Sequence, residues 1–290
     1  MQFDYQKIKQ WPIAEAIHSY TAQDTILYAL GVGAATTNPV LPEDLKFVYE
    51  DGLQALPTLH AVLGAGESWM DDPTTGIDIN KVLHGEQFLT LHRPLPASGK
   101  VIGRTVVQEI YDKGPEKGAV MYLVKTINDS TNGELLATVG YSVFLRGNGG
   151  FGGTSQGAPV PHAIPVDRGP DAQLDLITRP EQAVIYRLSG DFNPLHIDPQ
   201  VSIQAGFTKP ILHGLCSYGI AGRAILKLLC DNDPNRLRRF DVRFSSPVYP
   251  GETLRTEIWR EGAGCAAFRV RVVERDVIVL NNGYVEFVEG

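Results

Sequence analysis

Cysteine is scarce: Cys216, Cys230 and Cys265 are the only three in 290 residues. No CxxC pair and no Cys/His spacing of the zinc type occurs, so a zinc site of that kind is excluded. Three thiols in a chain long enough to fold without staples point to reduced cysteines in a reducing compartment. Long apolar runs are missing as well. No stretch approaches the roughly 20 residues of a membrane span. The opening MQFDYQKIKQW has no apolar signal core, and the ending YVEFVEG is not a tag of the S-K-L type. A cytoplasmic setting is the expectation. Positive charge is also short, with 26 Lys and Arg against 33 Asp and Glu and no basic run. That balance speaks against nucleic acid or an anionic membrane as a partner. Apolar residues are not short: at 43% they suffice for a core. The length suits one large domain or two modest ones.

The sequence divides at residues 151–170, FGGTSQGAPVPHAIPVDRGP, where apolar periodicity vanishes into glycine and proline. Residues 1–150 and 171–290 read as diverged copies. The first carries RPLPASGKVIGRTVV from Arg93, and the second SPVYPGETLRTEIW from Ser246. Each is followed by two more strand-like segments separated by tight turns, with good alternation in TLRTEIW and FRVRVVE. Each copy also starts with an apolar stretch led by a tyrosine, at Tyr20 and Tyr186. In the second copy HGLCSYGIAGRAILKLLC has helical spacing, from Leu215 through Ile220, Ala224 and Leu228. Gly219 and Gly222 would let a neighbour approach closely. A duplicated α+β arrangement follows.

The densest polar cluster in an apolar context is YRLSGDFNPLHIDP, residues 186–199. Gly190 and Pro194 bracket a tight turn, which can hold Asp191 and His196 toward one point. A carboxylate and an imidazole are what addition of water requires: one group takes a proton from water and the other supplies one to carbon. Asn193 is placed to hold the water or orient a carboxyl oxygen. The bland alternative is an Asx turn with a structural histidine. Downstream, KPILHGL opens the helical stretch. Free N–H groups at a helix start favour negative charge, so the Gly214 N–H is a candidate oxyanion donor; a plain helix start is the equal alternative. GNGGFG at residues 147–152 formally matches GxGxxG, but no helix-forming sequence follows, so a dinucleotide site is set aside.

SGDFNPLHIDP with GFTKPILHGL resembles the signature of the MaoC-like, hydratase 2 family. YALGVGA at Tyr28, LKFVYE at Leu45, KVLHGEQ at Lys81 and PVYPGETL at Pro247 are similar to its two-repeat form. The resemblance implies a double hot-dog fold, each repeat a helix wrapped by a curved antiparallel sheet. It implies reversible hydration of trans-2-enoyl-CoA to (3R)-3-hydroxyacyl-CoA, with no metal and no redox cofactor, coenzyme A being part of the substrate. It assigns catalysis to Asp191, His196, Asn193 and Gly214. No His follows Asp24 at the spacing that separates Asp191 from His196, so the first repeat is expected to be silent and to take the acyl chain. Lys81, His84 and Gly85 fall in a family segment near the substrate, although a strand edge with a solvated face is the alternative. Arg187, beside the catalytic loop, is a further candidate substrate contact. The expected partners are an acyl-CoA thioester and a second copy in a homodimer. The competing functions are a dehydratase on another acyl-CoA or on an acyl carrier protein, a thioesterase, and a non-catalytic acyl-CoA-binding module.

Overall fold

The computed structural model describes residues 3–37, 39–66 and 68–290. Three short helices lie in the first half: α1 (Tyr5–Lys9), α2 (Ala22–Gly31) and α3 (Pro42–Leu45). Its strands are β1 (Ala16–Tyr20), β2 (Val82–Leu91), β3 (Gly99–Asp112), β4 (Ala119–Asp129) and β5 (Leu135–Leu145). The second half holds β6 (Ala172–Ile177), α4 (Gln182–Tyr186), α5 (Pro199–Gln204), α6 (Gly214–Leu229), β7 (Leu237–Phe244), β8 (Thr253–Gly262), β9 (Cys265–Val272) and β10 (Val277–Phe287).

All ten strands form one antiparallel sheet in the order β1-β3-β4-β5-β2-β7-β10-β9-β8-β6. The order is a palindrome of equivalent strands, with β2 and β7 meeting at its centre. There Glu86 pairs with Arg243, Gln87 with Val242 and Thr90 with Arg239. The duplicated α+β reading and the double hot-dog expectation both hold at this level. Segment 81–87 is a sheet edge only in part: β5 pairs with β2 from Val82 onward, whereas β7 joins it from Glu86.

The repeats differ in their central helix. α6 is 16 residues long and almost wholly buried. Its glycines seat first-half side chains: a Cβ on Gly219 would lie 2.4 Å from Val32 Cγ1, and one on Gly222 2.7 Å from Thr58 Cγ2. The helix ends where Asp231 and Asn232 adopt positive φ, which these residue types tolerate. In the first repeat the same slot holds only a 3₁₀ turn, Pro57–Ala61. The buried amine of Lys125 takes the Ala61 and Leu63 carbonyls at 3.1 and 2.6 Å, capping the stub where the helix would continue. The expected long helix is thus present once.

The two leading tyrosines are not equivalent either. Tyr20 ends β1, whereas Tyr186 ends α4. The true counterpart of Tyr186 is Tyr28 in α2, its ring 6.1 Å away. The reason is local: Thr21 is the N-cap of α2, with Asp24 completing a capping box, so this polar stretch starts a helix rather than a catalytic turn.

Buried polar bonds fasten the repeats together. Arg223 of α6 reaches the Gly33 carbonyl and forms a 3.1 Å ion pair with Asp44, both side chains 4% exposed. Residues 151–170 are irregular but pinned, through Tyr111 to the Gly157 carbonyl and Asn282 to the His162 carbonyl. The Asp112 carboxylate accepts the N–H groups of Gly150 and Gly152, both at 2.8 Å. That fills with a protein carboxylate the nest in which a dinucleotide motif would hold phosphate.

Candidate active site

The site is assembled at the N-terminus of α6. After α4 and the turn Arg187–Ser189, Gly190 adopts φ 110°, a region that glycine enters without strain, and the chain reverses. Asn193 then caps the 3₁₀ turn Pro194–His196, with proline at its first position. These two devices fold five residues of separation into one point. Ligand-type atoms of Asp191, His196 and His213 all lie within 4.8 Å of one another.

Hydrogen bonds fix the tautomers. His196 Nδ1 faces the Ile211 carbonyl at 2.9 Å. A carbonyl only accepts, so Nδ1 carries the proton and Nε2 is left as a lone pair. Burial pushes the His196 pKa below its ordinary 6.5, against the pull of the Ile211 bond and the Asp191 charge. His196 is therefore a neutral base at neutral pH. His213 Nε2 donates to the Asp191 carbonyl at 3.2 Å, and its ring stacks on His196 at 3.8 Å between centroids. Burial, and then the neighbouring His196, push His213 down to about 4.

Gly214, next in the chain, is the first residue of α6, and no protein acceptor meets its N–H among the described residues. A Cβ there would sit 3.2 Å from Phe244 Cε1. Phe244 in turn packs on His84 of β2, with ring centroids 4.7 Å apart. His84 donates from Nε2 to the Glu86 carbonyl at 3.1 Å. Burial pushes it down to about 4, and the Asp191 charge is close enough to oppose that shift. The first repeat thus contributes one wall of the site.

The other candidates take different places. Asn193 spends its carboxamide oxygen on the Leu195 N–H at 3.0 Å and meets Asp191 through its own backbone N–H, 3.2 Å from Oδ1. It orients the carboxylate, by main chain rather than side chain. Gly85 is the bulge residue where the β2–β5 register shifts, and it is buried. A Cβ there would lie 2.7 Å from Phe144 and 2.8 Å from Ser142, so packing alone already requires the glycine. Lys81 is exposed and paired with Asp78 at 3.1 Å. Arg187 lies over the Phe192 ring at 5.0 Å, its Nε buried without a partner. Sequence reasoning missed two residues, His213 and Phe244. The histidine directly before Gly214 was a readable signal; Phe244 had none.

The described residues contain no helix long and apolar enough to cross a membrane. A family model described as a MaoC like domain matches residues 162–282. A second, the MFE-2 hydratase 2 N-terminal domain, matches residues 18–147. The chain is 45% identical over 279 residues to the peroxisomal multifunctional enzyme type 2 of Mus musculus, covering 93% of this chain and 37% of that protein. It is 44% identical over 283 residues to the 3-hydroxyacyl-thioester dehydratase Y of Mycobacterium tuberculosis, covering 94% and 95%. Among solved structures, a MaoC-like dehydratase from Phytophthora capsici superposes with a TM-score of 0.86 at 37% identity, over 98% of this chain and 99% of that one. A Mycobacterium tuberculosis protein with a double hotdog fold, 16% identical at a TM-score of 0.57 and covering 99% and 98%, shares the fold alone.

Proposed function

Because this chain belongs to the MaoC-like, hydratase 2 family, we propose that it reversibly hydrates trans-2-enoyl-CoA to (3R)-3-hydroxyacyl-CoA, with no metal and no redox cofactor. The observation that carries the reading is the Asp191–His196 dyad beside a helix start with a free N–H. The lone pair on His196 Nε2 takes a proton from water as its oxygen bonds to the β-carbon. The electron pair of the double bond moves onto the thioester oxygen, where the Gly214 N–H stabilises the charge. A donor of this kind is worth about 3 kcal/mol. A proton is then returned to the α-carbon from the same assembly, with Asp191 holding the charge balance. Read backwards, the steps dehydrate a 3-hydroxyacyl thioester, which is the activity in the name of the Mycobacterium relative.

Three unpaired cysteines fit a reducing, cytosol-like setting. The homodimer expected of the family is part of the proposal and is tested by sedimentation of the purified chain.

The test follows the enoyl-thioester absorbance with enoyl-CoA of several lengths, with chiral analysis of the product. Loss of absorbance with (3R) product and no free thiol supports hydration; released coenzyme A would make it a thioesterase. Asp191→Asn and His196→Gln should each lower kcat by about 10²- to 10⁴-fold. Near-normal hydration by either would remove that residue from the mechanism.

A further inference from the structure

The palindromic sheet has a consequence at the far end of the β2–β7 joint. The dyad's pocket is walled by the start of α6, the end of β7 with its following loop, and the start of β2. Each wall has a counterpart under the pseudo-twofold. The helix stub Pro57–Ala61 stands for the start of α6, and the β2 end and loop 91–97 stand for the end of β7. The start of β7 stands for that of β2, each preceded by a 3₁₀ turn, Pro234–Arg236 and Ile79–Lys81. The loops match in sequence too, with Arg93-Pro94-Leu95-Pro96 against Ser246-Pro247-Val248-Tyr249, and Leu95 and Val248 both buried. At that place the structure holds a cavity of about 420 Å³ lined by these three walls. From His84 at the dyad to His92 at this cavity is eight residues of strand, about 26 Å at 3.3 Å each, so the two pockets are distinct.

The second cavity has no acid–base dyad. The stretch equivalent to the catalytic loop follows Tyr28, and its Gly33 carbonyl is held by Arg223 instead. What it does have is a set of unused polar groups. His60, 1% exposed, donates Nδ1–H to the Pro57 carbonyl at 2.8 Å, leaving Nε2 a buried acceptor with no partner. Gln54 Oε1 is a second buried acceptor with no partner. Two orphan acceptors on residues that line a cavity of ligand size, each atom closed to solvent, call for a ligand that offers N–H or O–H donors as the wall adjusts to it. At the rim, Arg93 and Arg238 are exposed, and Arg93 has no side-chain partner among the described residues. Guanidinium groups there suit phosphate.

We infer that this cavity is a second, non-catalytic site for the phosphopantetheine arm of a coenzyme A-type ligand, with the arm's amides on His60 and Gln54 and its phosphate at Arg93. The inference rests on the thioester reading of the first site, whose architecture the cavity repeats.

The experiment is calorimetric titration of the full chain with butanoyl-CoA, a saturated thioester that cannot be hydrated. The wild type should bind two equivalents per chain. Arg93→Glu and Gln54→Leu, neither of which breaks an internal hydrogen bond, should each bind one and hydrate enoyl-CoA as the wild type does. One equivalent in the wild type, with enoyl-CoA hydration intact, overturns the second site and leaves the first reading standing. Two equivalents that survive both variants place the second molecule elsewhere and overturn it as well. A rise in KM confined to long-chain enoyl-CoA in either variant would make the cavity the end of the acyl path, also against the inference. Absence of hydration with any enoyl-CoA, whatever the stoichiometry, counts against the first reading instead.

Discussion

His213 touches both members of the dyad without being in it, and replacing it should separate positioning from chemistry. Its ring lies flat on His196 at 3.8 Å, and its Nε2–H holds the Asp191 carbonyl at 3.2 Å. Asp191 follows Gly190, whose wide conformational freedom lets the turn shift once a restraint on it is lost. Loss of one such hydrogen bond costs about 1 kcal/mol in stability. The kinetic cost is larger, because a displacement of about 1 Å in a reacting group lowers rate by about 10²-fold. His213→Gln should therefore lower kcat by about 10- to 100-fold, equivalent to about 1.4–2.7 kcal/mol of barrier. KM should stay within about threefold, since the substrate's own contacts remain. His213→Phe keeps a ring to stack on His196 but deletes the donor, so it isolates the bond to Asp191. The assay is initial loss of enoyl-thioester absorbance under saturating substrate, on variants shown to retain wild-type melting. A His213→Gln kcat within about twofold of wild type would refute the positioning argument. A His213→Phe rate equal to wild type would locate the effect in stacking alone.

Gly214→Ala keeps the N–H but puts a Cβ 3.2 Å from Phe244, which must push on His84. Expected is a loss of kcat of about 10-fold, or about 1.4 kcal/mol, and an unchanged rate would remove the Phe244–His84 wall from the site. Gly85→Ala overpacks Phe144 and Ser142 and should lower stability by about 1–3 kcal/mol in urea unfolding, a neutral result showing that the bulge can relax. Acid should destabilise the fold through His60 and His84, both pushed down to about 4 by burial. The unfolded state binds the extra protons, so stability is full above about pH 6.5 and falls toward pH 4 by about 1.4 kcal/mol per unit for each histidine. Urea unfolding at the two ends of that window measures it, and equal stabilities would show that these histidines are not buried neutral. Lys125, pushed down to about 7 by burial, works in the other window: its folded pKa lies below the unfolded one, so stability should climb from about pH 7 to 10 by up to about 1.4 kcal/mol per unit, and Lys125→Met should abolish that slope.

What the sequence disclosed and what it hid divide by contact distance along the chain. The dyad was legible because its devices are near in sequence: Gly190 and Pro194 bend residues 186–199, and Ile211 and His213, which fix the histidine and the aspartate, follow them by 15 and 22 residues. The repeat was legible because matching Pro–Gly loops and alternating strands are local patterns as well. The wall supplied by His84 was not, because it depends on β2 pairing with β7 across more than 150 residues, a register that no local periodicity states. Nor was the loss of the first helix. Residues 53–63, LQALPTLHAVL, are apolar enough to continue as a helix, but they end where Gly64 takes φ 59° and a buried lysine from β4 holds the Ala61 and Leu63 carbonyls. The misplaced equivalence of Tyr20 and Tyr186 has the same origin. Both are followed by a polar stretch containing an aspartate, but Asp24 is consumed in a capping box while Asp191 is left facing His196. Both carboxylates accept a backbone N–H, from Thr21 and from Asn193, and the difference lies in what surrounds them: Asp24 sits in the first turn of α2, whereas Asp191 sits in a turn that brings His196 and His213 to it. Divergence of the two repeats therefore needed no new fold. One turn is a cap where the other bends, one helix is short where the other is long, and a single dyad stands on the shared scaffold.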